Sequence, residues 1–476
     1  MIMILVGIVI VVRLTSFAYL SSLAEQNPFP NPYPIVAGDS TRYAQFADNL
    51  LTLHAYDVPG ATNAEWPPAY PMLLAVVKLL TGNFAWVVVV QILFAGLAAA
   101  LIYRMARSLV PLPWACIPAL IYAIDPLIAF TDTSVMTDGI FTALLVCVVY
   151  LAFFKPSARS LLCWSGIGVL IGILTLIRPI AEFLVFVFPA AYLLREWMEN
   201  RGGGAAHWKP IGAFVLGCAI ILLPWMIRNE LFFGSFEVSN LGGYNLLTND
   251  VRDFIAWRTL AASGHPLPAI LVPRHINDPV FASVDKKINA ALTAMTPPGG
   301  DRYSNMGLLA VQYIMQDPVH YAYFDAVNTL PFFFSSSIAS YEQMVPQLRD
   351  NQGFYAPTSL ALIDAVERIR HPASLESFMS ALWSVAPIGV EILSWLCATL
   401  LALSALLLRR RDFAIMLCAI FVAYFAALTG PMSSSRYRIP AEPYLLILAV
   451  VGVYETTNVI RKRVANRSAF RKSAEA

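Results

Sequence analysis

The sequence predicts an all-α polytopic membrane protein with about ten transmembrane helices, and three observations carry that prediction. Of its 476 residues, 58% are apolar and only 13% charged, well under the roughly 25% charge of soluble domains. Several apolar runs reach about 20 residues, enough to cross a hydrocarbon core of about 30 Å at about 1.5 Å of rise per residue. Lysine and arginine collect in alternate connections between those runs, the pattern of a chain threading a bilayer. A mean hydropathy of +0.64 excludes a soluble enzyme. A net charge of +2 from 32 basic and 30 acidic residues, with no basic aromatic stripe, leaves no footprint for nucleic acid.

Taken in order, hydropathy predicts spans near 2–23, 84–103, 114–130, 138–154, 161–177, 180–194, 210–227, 384–408, 412–430 and 441–459. The first, MIMILVGIVIVVRLTSFAYL, has no basic leader, and Arg13 interrupts its apolar run. It is therefore expected to stay as a helix rather than be cleaved as a signal peptide. With a cytoplasmic N-terminus, Arg104 and Arg107, Lys155 and Arg159, Arg195, Arg201 and Lys209, and Arg409 to Arg411 all fall on the inner side together with the basic tail. Both termini are then inside. The stretch Tyr70 to Thr81 is too short to span and is expected to lie as a helix against the outer face.

The chain thus divides into an N-terminal transmembrane module 1–228 with a first extracytoplasmic loop 24–83, an extracytoplasmic region 229–383, C-terminal transmembrane helices 384–460 and a basic cytoplasmic tail 461–476. The second region carries HINDP, TPPGGDRY and NQGFYAPT at expected turns and reads as a small mixed or helical domain. Within it, YAYFDAVNTLPFFFSSSIA is expected to rest on the membrane. All six cysteines lie in apolar runs and imply neither a disulfide nor a zinc framework.

Burying a charge in hydrocarbon costs several kcal/mol, so intramembrane ionisable groups are functional suspects. Arg13 is the one near a span centre, where an internal ion pair or snorkelling toward the cytoplasm is expected. Polar residues gather instead at the outer helix ends. In GDSTRYAQFADNL, residues 38–50, Gly38, Asp39 and Ser40 form a helix start, and Arg42, Tyr43, Phe46 and Leu50 follow on related faces of one amphipathic helix. Asp39 is then either an N-cap worth about 1 kcal/mol or a base at headgroup level that takes a proton from a hydroxyl. In TDTSVMTDGIF, Asp138 either favours the dipole of the fourth span or orients substrate, with Asp132 a neighbour able to take the same role.

GDSTRYAQFADNL followed by WPPAYPMLLA resembles the first extracytoplasmic loop of the GT-C glycosyltransferases, the class that includes protein O-mannosyltransferases and bacterial aminoarabinose transferases. LIRPIAEFLVFVFPA, PWMIRNELFFGSFEVSNLGGYNLL and SSSRYRIPAEPYLLILA are similar to later segments of that class, so the resemblance covers about residues 1–250 and 384–459. It implies a GT-C-like fold, with juxtamembrane helices in the first extracytoplasmic loop and a larger extracytoplasmic region before the last three spans. The implied activity is inverting transfer of a sugar from a polyprenyl-phosphate donor to a hydroxyl of a lipid, glycan or protein in the cell envelope, on the outer face of the inner membrane.

The resemblance makes Asp39 the base. Planar guanidinium groups suit the leaving phosphate: Arg436 and Arg438 are the first candidates, because positive charge on the outer side is unexpected, and Arg228 and Arg178 the second. Arg42, Tyr43, Glu65, Tyr244 and Asn245 are candidate substrate contacts. No cofactor is certain, and a divalent metal would draw on Glu65 and Asp39. The chain departs from the aminoarabinose transferases at their Glu-Lys-Pro turn, because Glu65 is followed by Trp66 and one cation is missing. Two rival readings are a ligase that uses a diphosphate-linked glycan and a non-catalytic transporter or flippase. The scarcity of midplane polar groups and inverted repeats weighs against transport.

Overall fold

A computed structural model describes residues 1–25, 33–36, 38–56, 64–155, 160–199, 208–264, 268–269, 279–296, 302–341 and 374–475. Among them every regular element is helical. Most of HINDP and TPPGGDRY, all of NQGFYAPT, and Arg159 and Arg201 lie outside the described residues.

The N-terminal module runs α1 (Ile2–Glu25), α2 (Asp39–Thr52), α3 (Ala69–Thr81), α4 (Val87–Arg107), α5 (Ile117–Ile124), α6 (Pro126–Thr133), α7 (Asp138–Val149), α8 (Leu161–Ile177), α9 (Leu184–Met198) and α10 (Trp208–Phe233). The two helices expected in the first loop are α2 and α3. Helices Leu375–Leu408, Phe413–Thr429 and Glu442–Glu475 close the chain, the last running unbroken from the final apolar segment into the basic tail.

Every segment expected to span is helical, but six helices of the described residues are long and apolar enough to cross a membrane, or seven counting one bent pair. That pair corrects the single span expected at 114–130, which bends by 55° between α5 and α6. Pro126 opens α6, and the Asp125 carboxylate caps it by accepting from the backbone N–H groups of Leu127 and Ile128, each at 2.9 Å. A proline at the first helical position and an acidic cap before it start a new helix rather than continue the old one.

Glycines allow two helix pairs to close. A Cβ at Gly168 would strike the Phe214 backbone, and one at Gly217 the Ser165 backbone, so α8 and α10 pack backbone to backbone. Gly452 does the same against Leu401. In lipid, where apolar burial drives little association, such small-residue contacts supply the packing.

The region after α10 is helical: α11 (Leu241–Asn245), a π-helical turn Leu246–Val251, α12 (Arg252–Ala262), α13 (Pro279–Met295), α14 (Ser304–Gln316), α15 (Pro318–Thr329) and the short α16 (Pro331–Phe334). It has its own apolar core of Val251, Phe254, Phe281, Leu292 and Phe324, separate from the main transmembrane core. The aromatic segment YAYFDAVNTLPFFF joins the two, with Phe324 buried in the smaller core and Phe332 in the larger.

Candidate functional site

Four charged side chains from four separated segments meet. Asp39 is the first residue of α2, Asp138 the first of α7, Arg178 ends α8 just before Pro179, and Arg436 lies in the short helix Ser435–Arg438. The Nη2 of Arg436 donates to Asp39 Oδ2 at 2.8 Å and to Asp138 Oδ2 at 3.2 Å. Arg178 Nη1 donates to the other oxygen of Asp138. The result is a chain of alternating charge, Asp39–Arg436–Asp138–Arg178.

Local sequence explains each placement. Gly38, the N-cap of α2, has φ +79° and makes no side-chain cap, which leaves the Asp39 carboxylate to reach Arg436 instead of the helix end. Ser40 accepts from the Val36 N–H and ties the loop to the helix start. The residue before proline avoids the helical region, and Arg178 is extended at φ −143°, ψ 121°. Tyr43 seats edge-on against Trp66 and Tyr70, and its hydroxyl lies 3.5 Å from Thr137 Oγ1, the residue before Asp138. The two acidic helix starts are thereby held in register.

Exposure separates the roles. Asp138 is fully buried and spends both oxygens on arginines. Asp39 is 39% exposed and Arg436 14%. Burial by itself would lower the pKa of Arg436, but Asp138 and then Asp39 beside it outweigh that and hold the guanidinium above its ordinary value. A half-exposed carboxylate next to a firmly charged guanidinium can accept a proton from one group and leave its neighbour to bind an anion.

The other expected residues fall elsewhere. Arg438 does not join Arg436. It is fully buried, with Nε on Glu442 Oε1 at 3.0 Å, Nη1 on the carbonyls of Phe332 and Ser335 at 3.2 and 2.8 Å, and its guanidinium 3.9 Å from the Trp395 ring centre. As placed, it fastens residues 332–335. Arg228 is packed among Trp225, Phe233, Phe232 and Tyr56 and bonds Asn229. Tyr244 stacks on Tyr303 at the edge of the smaller core, and Asn245 accepts from Asn249. Arg42 is exposed, and the Glu65 carbonyl accepts from Ser239 Oγ.

Arg13 forms the expected internal pair. Its Nε bonds Asp132 Oδ2 at 3.0 Å, and its other nitrogens bond the Tyr122 and Ala123 carbonyls, so Asp132 is committed there and not to the site. Gln91, which the sequence reading passed over, accepts from Tyr70 and donates to the Asp132 and Ser134 carbonyls. A polar side chain inside an apolar run was the available signal. Asp39 and Asp138 both bind Arg436, a donor set that does not fit a divalent ion, and among the described residues no three His, Cys, Asp or Glu side chains gather as metal ligands.

Residues 65–227, from Glu65 through Arg178 and into α10, match the family model of dolichyl-phosphate-mannose-protein mannosyltransferases. No curated protein matches the chain. Among solved structures, the chain is similar to the oligosaccharyltransferase AglB of Archaeoglobus fulgidus in complex with an inhibitory peptide and a dolichol-phosphate, at 11% identity and TM-score 0.42 over 96% of this chain and 52% of that one. It is also similar to ArnT from Cupriavidus metallidurans bound to undecaprenyl phosphate, at 14% identity and TM-score 0.38 over 94% and 77%. The chain spans about half the length of the archaeal enzyme.

Proposed function

We propose that this protein transfers a sugar from a polyprenyl-phosphate donor to a hydroxyl acceptor of the cell envelope, with inversion, on the extracytoplasmic face of the inner membrane. The observation that carries the reading is Arg436 bridging the half-exposed Asp39 and the buried Asp138. Asp39 takes the proton of the acceptor hydroxyl, and that oxygen attacks the anomeric carbon from the side opposite the phosphate. The anomeric carbon–oxygen bond to phosphate breaks, and its electron pair leaves with the polyprenyl phosphate. Arg436 and Arg178, already held by Asp138, neutralise the phosphate as its charge develops. One base suffices because the leaving group departs ionised, so no covalent glycosyl-enzyme is required.

A donor whose tail contributes about 0.8 kcal/mol per buried CH₂ stays in the bilayer, which accounts for a site at the helix ends of a polytopic chain. The distribution of Lys and Arg supports cytoplasmic termini with Asp39 on the opposite side. The test is to supply the purified protein with polyprenyl-phosphate sugars and a membrane-extract acceptor, then identify the released lipid and the product anomer. Polyprenyl monophosphate and an inverted anomer are expected. A retained anomer, a polyprenyl diphosphate product or no donor consumption overturns the proposal.

A further inference from the structure

Asn240 stands just before α11 and is 2% exposed. Its backbone is committed on both sides: its N–H donates to the Ala64 carbonyl at 3.2 Å, and its carbonyl accepts from the Tyr244 N–H at 3.1 Å. The preceding Ser239 is pinned as well, its hydroxyl donating to the Glu65 carbonyl at 2.5 Å and accepting from the Leu241 N–H. The position of Asn240 is therefore fixed by four hydrogen bonds, none of which involves its side chain. Both Oδ1 and Nδ2 of that side chain are buried without a partner.

Buried polar atoms are almost always paired, since an unmade bond forfeits the hydration the group had in the unfolded chain. A carboxamide held in place with both its donor and its acceptor open is a poor structural choice and a ready-made reader of a group that both donates and accepts. Its surroundings fit such a group. The first-loop residues Ala64 and Glu65 lie on one side, and α11 packs on the turn Pro179–Ala181 that directly follows Arg178. Asn240 thus joins the first loop to a helix that packs on the turn after Arg178. Aromatic rings line the same junction: Tyr43 on Trp66, and Tyr56 on Trp225, each pair with ring centres 5.2 Å apart.

We infer that Asn240 is a substrate-binding residue whose carboxamide pairs with a hydroxyl of the transferred sugar or of the acceptor, the Nδ2 donating and the Oδ1 accepting. The inference rests on the proposed glycosyl transfer. It differs from the expected contacts at Tyr244 and Asn245, whose side chains already have partners.

The test compares wild type with Asn240→Leu, similar in volume but without hydrogen bonds, and with Asn240→Asp, which keeps the acceptor and loses the donor. Thermal stability, kcat and the KM for donor and acceptor are measured with polyprenyl-phosphate mannose, glucose, galactose and N-acetylglucosamine. Asn240→Leu is expected to keep or raise Tm while raising one KM about tenfold or more, with kcat within about threefold. A raised donor KM places the hydroxyl on the sugar, and a raised acceptor KM places it on the acceptor. Should Asn240→Leu fail to fold, Asn240→Asp carries the same expectation for KM. Wild-type KM values for both substrates, with or without a lowered Tm, overturn the inference while leaving the glycosyl-transfer reading in place. A wild type that consumes none of the four donors overturns that reading and this inference with it.

Discussion

Arg436 and Arg438 stand two residues apart in one short helix and have opposite surroundings. Arg436 holds two carboxylates from different helices, one of them half exposed. Arg438 is sealed between Glu442, two backbone carbonyls and the Trp395 ring. The difference teaches how to tell a working charge from a fastening one. A contact with an exposed carboxylate can be exchanged for an incoming anion, whereas contacts with buried carbonyls cannot be released without opening the fold. Arg13 with Asp132, equally buried and equally tied to carbonyls, belongs with Arg438.

The largest expected effect tests the fastening side. Arg438→Met strands the buried Glu442 and should cost about 3–5 kcal/mol of stability, read as a fall in Tm of the purified protein. Adding Glu442→Leu should recover most of that loss, because an apolar pair of similar volume replaces a buried ion pair at little cost. A single variant with wild-type stability but no turnover would place Arg438 with Arg436 and erase the contrast.

Arg436→Lys tests the other side. A lysine ammonium lacks the planar guanidinium face that suits a phosphate bidentately, so turnover should fall about 10²-fold at unchanged Tm. A fall in Tm with normal turnover would make Arg436 structural. Gly139→Ala comes next: its Cβ would collide with the Asp132 carboxylate that Arg13 holds, and overpacking of this kind costs about 1–3 kcal/mol. An unchanged melting curve would mean that this buried pair has slack.

The smaller apolar core sharpens the comparison with carboxylates on which burial outweighs any guanidinium nearby. Burial first, then Asp325 and Asp253, push Asp250 well above the ordinary carboxylate range. Burial also lifts Asp253 to about 7, against the pull of Arg252 and with help from Asp285. The folded state then keeps a proton that the unfolded chain releases above about pH 4. The contribution of Asp253 to stability should accordingly fall as pH rises from about 4 to about 7. Asp253→Asn should flatten part of that slope in Tm measured across pH 4–8, and a slope of the opposite sign would contradict the assignment. The smallest effect is expected from Tyr244→Phe, within about 0.5 kcal/mol and without change in KM, because the substitution keeps the ring that stacks on Tyr303.

Hydropathy made the helices legible because lipid demands long apolar runs, and motif order made Asp39, Asp138, Arg178 and Arg436 legible as candidates. The split between Arg436 and Arg438 was not. Residues two apart on a helix point about 200° from each other, so adjacency in sequence argued against their sharing a site. The i to i+4 spacing of Arg438 and Glu442 was the signal for a local pair. The break at Asp125–Pro126 also had its signal, an acidic cap before a proline, but the apolar run around it outweighed two polar letters. Which partner Asp39 takes was beyond sequence reasoning, because Arg436 lies 397 residues away and the cap reading was equally sound until Gly38 proved to be the N-cap.

The central claim, that Asp39 is a working base rather than a helix cap, is tested most directly by donor turnover in wild type and Asp39→Asn with Tm measured on both. The account predicts that turnover falls about 10²- to 10⁴-fold while Tm stays the same. Wild-type turnover in the variant, or a loss matched by a lowered Tm, would contradict it.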